Sequence, residues 1–162
     1  MTEKLVIFGA TGDLCKRKLI PALHELHKQD LLSDTFEIIG ASRTNHGRES
    51  WLQHLGEYPE DFTHRLDYVS CDLSNPETLK RLNTQDDDTT YFLSVPPERY
   101  GDAIVNLKST GMLDDAERSR VVIEKPFGTD LRSADTLQRV VAEHLREKQV
   151  YRIDHYLGKD TV

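Results

Sequence analysis

Short apolar runs rich in β-branched and aromatic residues, such as Leu5-Val6-Ile7-Phe8, Tyr91-Phe92-Leu93 and Val121-Val122-Ile123, alternate along the chain with longer, more polar stretches of helical character. This alternation predicts βαβ units stacked on a parallel sheet. Strands are expected over residues 4–8, 37–41, 67–71, 90–95, 120–124 and 150–153, and helices over 13–28, 48–55, 76–82, 97–108 and 133–148. The fold class expected is therefore α/β: a Rossmann-like, doubly wound, mostly parallel six-stranded sheet with helices on both faces. Ser74-Asn75-Pro76-Glu77 is a helix start with proline in the first turn. Pro21 falls inside the first helical stretch, which is expected to kink there or to break and restart near Leu19. Asp86-Asp87-Asp88 fits no amphipathic face and reads as a solvated loop before the fourth strand rather than a metal site. No repeat, low-complexity tract or flexible linker interrupts the pattern, so residues 1–162 are expected to form a single domain.

Composition narrows the partners. The chain carries 21 basic and 28 acidic residues, a net charge of −7, the wrong sign for neutralising a nucleic-acid backbone. No run approaches the roughly 18 apolar residues of a membrane span. The first apolar stretch, residues 5–9, is too short for a signal-peptide core, and a cytoplasmic protein is expected. Two cysteines, Cys15 and Cys71, cannot build a disulfide framework or a zinc knuckle and are read as buried thiols. No spacing of histidine, cysteine and carboxylate supports a metal.

The first strand runs into Gly9-Ala10-Thr11-Gly12-Asp13-Leu14-Cys15 and then into a helix. Glycine allows a tight turn and close approach of an anion, and the unpaired amides opening the next helix favour negative charge there. A pyrophosphate fits this turn, but so does a tight strand-to-helix connection that only needs small residues. The β/α alternation that follows favours dinucleotide binding. Cys15 takes the place of the third small residue, with a packing role. The second strand ends in Ser42-Arg43-Thr44 instead of the Asp or Glu that would bind a ribose 2′-hydroxyl. Arg43 is the only cation at this strand end, and no carboxylate stands beside it in the sequence. It suits the 2′-phosphate of NADP, the alternative being a solvent-exposed loop arginine.

Three further runs complete the pattern: Tyr91-Phe92-Leu93-Ser94-Val95-Pro96-Pro97, Glu124-Lys125-Pro126-Phe127-Gly128, and Arg152-Ile153-Asp154-His155-Tyr156-Leu157-Gly158-Lys159. With the opening Gly9-x-x-Gly12-Asp13-Leu14-x-Lys16-Arg17-Lys18, they make the chain resemble the coenzyme domain of the glucose-6-phosphate dehydrogenases along its whole length. That resemblance implies oxidation of glucose 6-phosphate to 6-phosphogluconolactone, in the pentose phosphate pathway, by hydride transfer to NADP. It implies that Gly9, Thr11, Gly12, Asp13 and Leu14 form the pyrophosphate turn and that Ser42 and Arg43 meet the 2′-phosphate end. Pro96 would lie on the coenzyme side after the fourth strand, Lys125 between coenzyme and substrate, and Lys18 near the sugar. His155, Tyr156 and Lys159 would hold the sugar phosphate, and Asp154 would orient a general-base histidine. Family members continue into a second α+β domain that carries that base. A polypeptide of these 162 residues is therefore expected to bind NADP without turning over glucose 6-phosphate, and to self-associate through the face that would meet the second domain.

Two other readings compete. A short-chain reductase or sugar-nucleotide epimerase also opens with Gly-Ala-Thr-Gly, but it needs Tyr-x-x-x-Lys, and Tyr156 is followed by Lys159 one place too early. A stand-alone, non-catalytic NADP-binding module is the other. The remaining histidines, His24, His27, His46, His54, His64 and His144, are read as surface or packing residues. The turn at Lys125-Pro126 must aim the lysine into a cleft, and a cis bond or a strained turn is expected there.

Overall fold

The computed structural model describes residues 1–154. Strands β1 (Glu3–Phe8), β2 (Phe36–Ser42), β3 (Leu66–Ser70), β4 (Asp88–Leu93), β5 (Ser119–Glu124) and β6 (Val150–Ile153) form one sheet in the order β3-β2-β1-β4-β5-β6. Every pairing among the described residues is parallel, with Val6 set between Ile39 of β2 and Tyr91 of β4. The expected doubly wound sheet is thus present. Its order reverses between β1 and β4, so the carboxyl ends of these two strands diverge into a crevice.

The central strands supply two cores because successive side chains point to opposite faces, while the edge strand β6 gives only Val150, to one of them. Val6 and Phe8 of β1 pack with Tyr100, Ile104 and Leu107 of α5 (Tyr100–Ser109) and with Leu137 and Val141 of α6 (Leu131–His144). On the other face Ile7 packs with Ile20 and Leu23 of α1 (Ile20–Lys28), Trp51 and Leu55 of α2 (Arg48–Leu55) and Phe62 of α3 (Glu60–Thr63). Burial pushes the thiols of Cys15 and Cys71 up to about 12 and about 11, as expected of inert core cysteines. Among the described residues no helix is long and apolar enough to cross a membrane.

Proline sets the entry to α1. Pro21 has no N–H to continue the helical ladder, and the preceding turn, Cys15–Leu19, is π-helical, with the Ile20 amide donating to the Cys15 carbonyl before α1 begins. The expected break near Leu19 is therefore a change of helical type, from π to α, with the backbone helical throughout. α4 (Pro76–Leu79) starts at Asn75, whose side chain accepts from the Glu77 amide, and runs into a 3₁₀ turn, Lys80–Leu82.

Three expectations need correction. The acidic run is no free loop: Asp87 pairs with Lys4 at 2.6 Å and accepts from the Thr2 amide at 3.2 Å, while Asp88 opens β4 and pairs with Arg120. β4 consequently starts earlier than predicted. It also ends earlier, at Leu93, since the chain turns against β1 at Ser94, whose amide donates to the Phe8 carbonyl at 3.0 Å. The last helix begins at Leu131, capped by Asp130 and Ser133, and stops at His144 instead of running to 148. Leu145 turns extended into the core there, and the buried Gln149 donates to the Leu113 carbonyl at 3.0 Å.

Candidate functional site

The glycine turn closes on its own backbone. Gly9 and Ala10 donate to the Ala41 carbonyl at 3.0 and 3.3 Å, Gly12 donates to the Gly9 carbonyl at 3.0 Å, and Lys16 donates to Gly12 at 3.2 Å. Gly9 has φ +82°, and a Cβ there would stand 2.0 Å from the Ser94 carbonyl oxygen. Glycine is therefore required at Gly9 by both conformation and space. The same crowding stacks the turn against the start of the Ser94-Val95-Pro96 segment. Behind the turn the indole of Trp51, fully buried, donates to the Ala10 carbonyl at 3.0 Å and lies flat over Gly40, where a Cβ would be 2.4 Å from Cζ2.

The end of β2 is braced in a similar way. The Tyr68 hydroxyl lies 2.5 Å from Ser42 Oγ and donates to the Thr44 carbonyl at 2.6 Å, and the Thr44 amide donates to Ser42 Oγ at 3.3 Å. Ser42 thus holds the frame on which Arg43 sits. Between the glycine turn and this strand end lies a cleft of about 210 Å³, lined by Gly9 and Thr11, by Ser42, Arg43 and Thr44, and by Val95, Pro96 and Arg99 across it. A larger groove of about 490 Å³ lies between α5 and α6, but its lining carries Glu98, Asp102 and Asp130 against a single cation, Arg132. Three carboxylates repel a phosphate, so the smaller cleft at the strand ends is the better anion site.

Arg99 is a second cation in this cleft, absent from the sequence reading, which had Arg43 alone. It comes from the 3₁₀ turn Pro97–Arg99 after β4, and only the reversal of strand order brings it opposite the end of β2. A carboxylate is near as well: Asp72, just past β3, stands 3.9 Å from Arg99. Hydrogen bonds from the Ser74 amide and hydroxyl, followed by the charges of Arg43 and Arg99, hold the Asp72 carboxyl below the usual carboxylate range.

The other residues singled out by sequence are placed less uniformly. Gly12 and Asp13 are exposed at the turn, Asp13 facing Arg17 at 3.8 Å. Leu14 is half-buried against the Ile7 core and acts in packing. Lys18 is exposed on the π-helical turn, outside the set of residues that line the cleft. Lys125 and Asp154 come together at the carboxyl ends of β5 and β6, 3.1 Å apart, and the Lys125 amide donates to the Ile153 carbonyl at 3.0 Å. The Lys125-Pro126 bond is cis, as expected. Tyr100, which the sequence reading passed over, ties α5 to this strand end: its hydroxyl donates to the Glu124 carbonyl at 3.1 Å. His155, Tyr156 and Lys159 lie outside the described residues.

The histidines match the expected surface or packing roles where the structure describes them, His64 being exposed. His24 packs on the rings of Tyr58 and Phe62, His27 bridges Asp61 at 2.8 Å and Arg65 at 3.1 Å, and His144 sits 2.9 Å from its own helix carbonyl at Val140. His46 and His64 pair locally with Ser50 and Glu60, and His54 lies beside His46.

A parallel sheet with this strand order, a glycine turn at its switch point and cations facing that turn together define the doubly wound, dinucleotide-binding class. The protein-family model described as glucose-6-phosphate dehydrogenase, NAD binding domain, matches residues 6–162, and the chain belongs to that family. It is 39% identical over 176 residues to a glucose-6-phosphate 1-dehydrogenase of Bacillus subtilis (strain 168), covering 98% of this chain and 36% of that protein. It is also 39% identical over 175 residues to one of Dickeya dadantii (strain 3937), covering 98% and 35%. Among solved structures, a glucose-6-phosphate dehydrogenase in complex with its substrate glucose-6-phosphate superposes with a TM-score of 0.85 at 30% identity, covering 98% of this chain and 37% of the other. One from Mycobacterium avium gives a TM-score of 0.85 at 32% identity, covering 97% and 36%. The chain thus spans little more than a third of the length of these relatives. A Rossmann-fold protein of Shigella flexneri, at 15% identity and a TM-score of 0.60, shares the fold alone.

Proposed function

We propose that residues 1–162 are a single coenzyme-binding domain of a glucose-6-phosphate dehydrogenase and that the cleft between β1, β2 and β4 takes NADP. The observation that carries this reading is the cleft itself, with a glycine turn at one end and Arg43 among hydroxyls at the other. Its donor set suits the group. The close backbone approach that Gly9 allows and the amides opening the helix favour a pyrophosphate, Val95 and Pro96 offer an apolar wall, and a guanidinium stands where NAD-specific folds place a carboxylate.

NADP, when bound, accepts the hydride. The chain's own residues bind and orient. Lys125, tethered to Asp154 at the ends of β5 and β6, would donate toward the sugar hydroxyls beside the coenzyme, with Lys18 nearer the sugar rim. His155, Tyr156 and Lys159 would converge on the sugar phosphate, a dianion that an imidazole, a phenol and an ammonium can satisfy together. Asp154 would orient a general base supplied by another part of a dehydrogenase, so a polypeptide of these 162 residues binds NADP without reducing it. Glucose 6-phosphate is the substrate on this reading, as it is of the relatives.

Arg43→Ala is expected to weaken NADP binding about tenfold to a hundredfold, the loss of a charge-assisted phosphate contact, and to leave NAD binding almost unchanged. Calorimetric titration of both proteins with both coenzymes measures this. Equal losses for the two coenzymes would contradict it.

A further inference from the structure

Two guanidinium groups face the cleft from elements that are remote in sequence. Arg43 follows β2; Arg99 ends the 3₁₀ turn after β4. Asp72 feels the charge of both, and its Oδ1 is already taken by the Ser74 amide at 2.9 Å and the Ser74 hydroxyl at 2.7 Å. Arg99 stands 3.9 Å from that same oxygen, too far for a hydrogen bond, with about a third of its side chain and of Asp72's exposed. An ion pair this loose and wet contributes little stability. It does keep the guanidinium at the cleft rim with its donors uncommitted. The Arg99 amide donates to the Pro96 carbonyl at 2.9 Å, and the neighbouring Tyr100 hydroxyl is anchored on β5, so the backbone that carries Arg99 is fixed at both ends.

We infer that Arg99 is the second arginine of the 2′-phosphate site and that Asp72 is its resting counter-ion, yielding Arg99 to the phosphate on binding. This rests on the NADP reading above and extends it to a residue that selects between coenzymes. A phosphate dianion has three oxygens to satisfy, and two guanidinium groups from opposite walls can serve it better than one. Asp72 opposes this in two ways: its charge repels the phosphate and attracts Arg99. The phosphate prevails because it carries more charge and makes hydrogen bonds that the 3.9 Å pair lacks.

The test is calorimetric titration of the full 162-residue chain with NADP, NAD and 2′-AMP, comparing Arg99→Gln, Asp72→Asn and Arg43→Ala with the unmutated protein. Arg99→Gln is expected to weaken NADP and 2′-AMP about tenfold with NAD almost unchanged. Asp72→Asn, which keeps an acceptor for Ser74, should tighten NADP about two- to fivefold. Unchanged NADP affinity in Arg99→Gln, while Arg43→Ala is impaired, would overturn the role of Arg99 and leave the NADP reading standing. Looser NADP binding in Asp72→Asn would overturn the counter-ion role. An unmutated protein that binds NAD and NADP equally, indifferent to Arg43→Ala, would remove the NADP reading itself.

Discussion

Trp51→Ala is expected to cost about 3–5 kcal/mol of folding stability, the range for truncating a fully buried large aromatic residue. Three features of the residue add up to this. Its ring fills the space over Gly40, where a Cβ would come within 2.4 Å, so no neighbouring side chain on the strand can collapse into the cavity. It packs with Ile7, Ile20 and Phe62 in the core that joins β1 to α1, α2 and α3. It also satisfies the Ala10 carbonyl, at 3.0 Å, behind the glycine turn. Denaturant unfolding should show a lower midpoint with an unchanged slope. Trp51→Phe separates packing from the hydrogen bond: it keeps most of the ring, leaves the Ala10 carbonyl unpaired, and is expected to lose about 1–3 kcal/mol. A Trp51→Ala protein within about 0.5 kcal/mol of the parent would contradict this account of the core.

Gly9→Ala is expected to cost about 2–5 kcal/mol, combining the left-handed backbone penalty of roughly 1–2 kcal/mol with overpacking of roughly 1–3 kcal/mol. The obstructing atom is the Ser94 carbonyl oxygen, 2.0 Å from the added Cβ, and a backbone atom has no rotamer by which to yield. Relief must come from moving β1 and the Ser94 segment apart, which opens the cleft along the side where the pyrophosphate would lie. Gly12→Ala provides the control. Gly12 has no positive φ, and its Cβ would meet only the Gly9 carbonyl at 3.3 Å, so a loss below about 1 kcal/mol is expected. Similar losses at the two glycines, measured by thermal or denaturant unfolding, would contradict the distinction.

What could be read from the sequence follows a physical divide. Most strands were legible as apolar runs bounded by polar or glycine-containing segments, and the helix α2 matched its predicted span of 48–55, a polar stretch flanked by Gly47 and Gly56. The four-residue α3 was not legible, since one helical turn has no period to detect. The acidic run misled because its partners, Lys4 and Arg120, are remote in sequence and only the sheet brings them to Asp87 and Asp88. Arg99 and Trp51 were missed for a related reason. Nothing next to Arg99 announces that its strand lies two places from β2, and nothing near Trp51 announces Gly40 as its seat. The glycine turn, Arg43, Pro96, Lys125 and Asp154, in contrast, stand in motifs visible in the sequence, and the fold brings the first three around one cleft and pairs Lys125 with Asp154, a contact between two motifs that neither announced.

The most direct test of where the coenzyme binds is to map backbone amide chemical shifts of the 162-residue chain as NADP is added. The expected result is perturbation at Gly9, Thr11, Ser42, Arg43, Thr44, Val95 and Arg99, on the turn and the two facing strand ends that enclose the 210 Å³ cleft. Perturbation confined to Gly101, Val105, Thr136 and Val140, the lining of the larger groove between α5 and α6, would contradict it and move the site to the other cavity.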